Sequence, residues 1–163
     1  SDYEALLENM THKMENHNKE KTEKQTHCGK GSHICCEEPF EIPFMEVVYL
    51  YSRINRYFSS AQREILIQKA VDGSKKTPLC PLNKGTACEI YDMRPARCLF
   101  YGVGGESDLH DFQEMLDELS RSIFLALSGH FLPEKALAFS VSDTISGKFV
   151  QKYFHHMMVN SKT

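Results

Sequence analysis

All six cysteines of this 163-residue chain fall in two short stretches. Cys28, Cys35 and Cys36 stand in a glycine-rich run with His27 and His33, and Cys80, Cys88 and Cys98 lie in a second run rich in turn-forming and charged residues. Thiolate sulfur is a soft ligand, and soft ligands gathered in two groups, with none elsewhere, point to a metal or iron–sulfur site. Structural zinc sites usually take their cysteines in pairs two to four residues apart. Here six residues separate Cys28 from Cys35, seven separate Cys80 from Cys88, and nine separate Cys88 from Cys98. Such wide spacing suits an iron–sulfur cluster ligated from several loops, and equally an irregular zinc site. Six thiols exceed the four that one centre usually needs. The expected centre is held by Cys36, Cys80, Cys88 and Cys98, with Cys28 and Cys35 as extra or alternative ligands and His33 and His27 as weaker candidates.

A disulfide framework is the rival reading of six cysteines. The polar N-terminus lacks the apolar core of a signal peptide, which predicts a cytoplasmic location and reduced thiols. Gly29 and Gly31 allow close backbone turns, so amides of the first cysteine stretch are expected to point at sulfur. Arg94 and Arg97 flank the last cysteine; they either favour its thiolate or anchor the turn around it.

The segment Cys80-Pro81-Leu82, then Cys88-Glu89-Ile90-Tyr91-Asp92-Met93-Arg94-Pro95-Ala96-Arg97-Cys98, preceded by Cys35-Cys36, resembles the YkgJ-type cysteine-cluster family, described as zinc- or iron-chelating domains. The likeness covers about Cys28 to Phe100. Gln25 stands where that pattern has a further cysteine, and Leu99 where an Arg often follows the last one. The resemblance implies a cytoplasmic protein that binds zinc or an iron–sulfur cluster. One relative, the flagellin lysine N-methylase, is an enzyme, so protein methyl transfer is an alternative carried by analogy alone. A helical protein-interaction domain is a second alternative.

The elements that must position these residues are helical. Apolar residues recur at spacings of three and four in Asp2–Met14, in Phe44–Phe58, from Ser60 through Ala70, in a long stretch from Ser107 or Asp108 to Gly129, and in Asp143–Met158. Ser59 and Gln62 form a capping-box pattern, Gly73 suits a helix C-terminus, and Pro133 is expected to open a short helix through Phe139. Phe40 and Ile42, between Pro39 and Pro43, read as a short extended piece. The expected fold is mainly α, a small helical domain of about five helices with irregular cysteine-rich loops. Residues 1–26 read as an N-terminal helix and polar linker, and residues 27–163 as a single cysteine-cluster domain. The two central helices, if antiparallel, return Cys36 and Cys80 to one end.

The remaining signals narrow the function. A net charge of −3 gives no basic excess for nucleic acid, and no apolar run reaches the length of a membrane span. The partners expected are a metal ion and possibly a protein. His110, His130 and the pair His155-His156 read as surface or helix-end residues. The run Gly102-Val103-Gly104-Gly105 lacks the strand and helix that would make it a nucleotide loop.

Overall fold

The computed structural model describes residues 2–18, 30–37, 39–76, 80–101, 106–129 and 138–160. Its elements run α1 (Asp2–Asn18), β1 (Glu41–Pro43), α2 (Phe44–Tyr57), α3 (Ser60–Lys76), β2 (Asn83–Lys84), β3 (Ala87–Cys88), α4 (Ala96–Leu99), α5 (Glu106–Ser128), β4 (Ala138–Ser140), α6 (Val141–Ser146) and α7 (Lys148–Asn160). The fold is mainly α. Two small antiparallel sheets pair β1 with β4 and β2 with β3.

Helix α2 shows how the sequence sets the core. Phe44, Val47, Leu50 and Ile54 are buried along one face at spacings of three and four. Pro43 precedes the helix and offers no side-chain cap. The amide of Met45, in the first turn, instead donates to Ser120 Oγ at 3.0 Å, and Ser120 passes its own hydroxyl to the Leu116 carbonyl at 2.7 Å. A buried serine on α5 thus satisfies a helix-terminal amide that water cannot reach. Phe44 stacks on Tyr153 at 5.6 Å and meets the edges or tilted rings of Phe124 and Phe139. Phe44, Phe124 and Phe139 are fully buried, and each contributes about 2–3 kcal/mol by removal of apolar surface from water.

Helix α2 packs mainly on α5, and α3 on α6. The start of α3 carries the capping box read from the sequence: Ser59 N donates to Gln62 Oε1 at 2.9 Å, and Gln62 N to Ser59 Oγ at 3.3 Å. Helix α3 continues through Gly73 rather than ending there. Helix α5 ends at Gly129, which takes a positive φ of 71°. Phe139 lies in strand β4, opposite Ile42, and not in a helix; residues 130–137 lie outside the described residues. The last expected helix is two helices, because Gly147 adopts a φ of 79° and closes α6. A second apolar cluster joins Tyr3, Leu6 and Met10 of α1 to Met45, Ala96, Phe100, Phe112 and Leu116.

Glu46 ties three of these elements together. It is buried in the first turn of α2, where its Oε1 accepts the Tyr3 hydroxyl of α1 and the Ala96 amide of α4, each at 2.6 Å. Both donors are buried with it, and the loss of water pushes its carboxyl above the usual range.

Candidate metal centre

Two loops and a short helix bring four free thiols into one neighbourhood. Cys36 ends a 3-10 turn, Ile34–Cys36, and its carbonyl accepts the Cys80 amide at 3.1 Å. That bond joins the two cysteine stretches directly, as expected of Cys36 and Cys80. A second tie lies further along: the Gly31 amide donates to the Thr86 carbonyl at 2.9 Å, and Lys30 forms a bridge with Ala87. Gly31 takes a φ of 87°, which only glycine adopts without strain. Cys88 sits on β3 opposite Asn83, in a hairpin that turns through Gly85. Cys98 lies in α4, which begins directly after Arg94-Pro95.

The second stretch builds two cysteines by one local rule. In Cys80-Pro81-Leu82 the Leu82 amide donates back to the Cys80 sulfur, and in Cys88-Glu89-Ile90 the Ile90 amide donates to Cys88. Leu82 and Ile90 are themselves fully buried, so the core clamps the backbone whose amide faces each sulfur. An amide aimed at sulfur stabilises the thiolate over the thiol. The expectation gave that role to the amides of Gly29 and Gly31; the Gly31 amide is taken by Thr86, and Gly29 lies outside the described residues. A signal was present in the repeated pattern of cysteine, one residue, then a large aliphatic.

Cys36 and Cys80 share a side-chain hydrogen bond, which lowers Cys36 to about 6. The Asn83 side chain adds a second hydrogen bond to Cys36. The same Cys36–Cys80 bond, together with burial, raises Cys80. Burial raises Cys88, against the Ile90 amide and the charge of Arg94. Cys98 is pushed up to about 12 by burial first and then by Cys88 and Cys36, with Arg94 opposing. These thiols therefore lie within electrostatic reach of one another. Arg94 plays both roles foreseen for it. Its Nε anchors the turn on the Tyr91 carbonyl at 2.8 Å, its guanidinium lies 3.8 Å from the Tyr91 ring centre, and its charge favours the thiolates of Cys88 and Cys98. Arg97 instead lies over the Phe40 ring at 4.6 Å.

One expected ligand is corrected. Cys35 is disulfide-bonded, and a disulfide sulfur has no thiolate to give a metal. Clustering that suits ligation also suits pairing, and spacing alone does not separate the two. Cys36, Cys80, Cys88 and Cys98 are free. Cys28 and His27 lie outside the described residues. His33 is half-buried, with Nε2 3.5 Å from Glu37 Oε1. His110 faces Glu114 on the exposed side of α5, His155 is exposed, and His130 lies outside the described residues. Among the described residues, no group of three or more His, Cys, Asp or Glu side chains is placed to hold a metal ion. Among the described residues, no helix is long and apolar enough to cross a membrane.

Comparison of the chain with protein families, with curated proteins and with solved structures returned no match.

Proposed function

We propose that this chain is a metal-binding domain that holds zinc or an iron–sulfur cluster through Cys36, Cys80, Cys88 and Cys98. The observation that carries the reading is the convergence of four free thiols from two distant stretches, two of them facing backbone amides. Four sulfur donors match the needs of tetrahedral zinc and of a cysteine-ligated cluster alike. Arg94 supplies positive charge beside two of them, which offsets the negative charge that four thiolates bring to any divalent centre. Cys35 is left out of the ligand set by its disulfide. Zinc would lend the site structural stability; a cluster would lend it one-electron chemistry.

The four thiols do not form a finished coordination shell, so binding metal and closing the shell are one event. Metal then contributes directly to folding stability, by tying the 3-10 turn of the first stretch to the hairpin and α4 of the second. The test is elemental analysis with a visible spectrum on protein purified without oxygen. Iron with sulfide and a broad band near ~400 nm identifies a cluster; about one zinc per colourless chain identifies a zinc centre. Neither, with an intact fold and four titratable thiols, refutes the proposal.

A further inference from the structure

Away from the thiols, a cavity of about 340 Å³ opens between β1, α2, α4 and α5. Its volume lies in the range of small-molecule sites. The buried walls are Pro43, Phe100, Phe112 and Leu116, and the exposed rim carries Glu41 and Arg97, one charge of each sign. Glu46 also lines it, although only 2% of that residue is exposed. Both hydrogen bonds to Glu46, from Tyr3 and from the Ala96 amide, go to Oε1. Among the described residues Oε2 accepts none, and Glu46 has no ion pair. A carboxyl group buried in an apolar wall with one oxygen unpaired is costly to keep, and it calls for a donor from outside the chain.

We propose that this cavity binds a small primary ammonium, alkyl or aryl, with its nitrogen on Glu46 Oε2 and its apolar body against Phe100, Phe112 and Leu116. An ammonium supplies the missing donor, and its charge favours the ionised form of Glu46 against the burial that disfavours it; aromatic rings tolerate a cation near their faces. A carboxylate ligand at neutral pH brings no donor and leaves Oε2 unpaired. A neutral alcohol of the same shape fills the apolar walls but brings no charge. The inference is independent of the metal reading, since none of the four thiols lines the cavity.

The test is an amide NMR titration of the whole chain with benzylammonium, and separately with benzyl alcohol. Benzylammonium is expected to shift the amides of Ala96 and Phe100 and to saturate near ~1 mM or below. Benzyl alcohol should bind at least about tenfold more weakly, the usual scale of a charge-assisted hydrogen bond. Glu46→Gln should bring the two ligands to within about twofold of each other. Equal binding of the two by the unmodified chain, shifts confined to other surfaces, or no shift at ~10 mM would overturn the proposal. That comparison decides the matter even if Glu46→Gln does not fold.

Discussion

Loading the thiol site with zinc should release about three protons per metal at pH 7, and the count can be worked from the structure. A thiolate, not a thiol, binds metal, so every ligand still protonated must give up its proton. Cys36, held at about 6 by its hydrogen bonds with Cys80 and Asn83, is already about nine-tenths ionised at pH 7. Cys98, at about 12, is fully protonated. Cys80 and Cys88 lie above the ordinary thiol value, the first through its bond to Cys36 and burial, the second through burial. Three thiols therefore lose protons and the fourth has none to lose. Each proton is worth ~1.4 kcal/mol per pH unit, so binding should strengthen by about 4 kcal/mol per unit as pH rises through 7. The assay is calorimetric zinc titration in buffers of different ionisation enthalpy, whose slope counts protons. Four thiols at the unperturbed value of ~8.5 in an unstructured chain would release nearly four, which gives the experiment its contrast. Cys36→Ser should weaken binding yet leave the count near three; Cys88→Ser should weaken it and lower the count to about two. A count near four in the folded chain, or no proton release at all, refutes the reasoning.

Two further outcomes bear on the scaffold. Tyr3→Phe removes the hydroxyl that donates to Glu46 and should cost about 2 kcal/mol, the scale of a buried hydrogen bond to a carboxyl group, read as a lower midpoint in urea unfolding. Gly147→Ala meets no neighbouring atom within 4 Å, so its cost is the positive φ alone, about 1–2 kcal/mol, read as a lower melting temperature.

The helices were legible where two kinds of signal agreed. The start of α3 combined an apolar period with Ser59 and Gln62, and the end of α5 combined one with Gly129; both stand in the structure. They were misread where one signal outlasted another. Apolar residues continue on both sides of Gly147, so the period alone runs α6 and α7 together. Gly73 costs α3 about 1 kcal/mol relative to alanine, too little by itself to end a helix that runs on to Lys76. Phe139 joins a three-residue strand fixed by pairing with Ile42, a long-range contact that no local pattern records. The gathering of the cysteines into two stretches was legible from residue type, whereas the disulfide at Cys35 was not, since ligand and bridge demand the same clustering.

Glu46 was invisible for a different reason. An acidic residue in the first turn of a helix is ordinary and is usually read as a favourable partner of the helix dipole. Its burial follows from partners distant in sequence, because Tyr3 of α1 and the Ala96 amide of α4 both close on its Oε1. The same closure links it to the thiols. Ala96, whose amide Glu46 holds, stands two residues before Cys98, and the Glu46 charge is among those that disfavour the Cys98 thiolate. The two proposed sites are separate in their ligands but share α4, which carries Ala96 of one and Cys98 of the other.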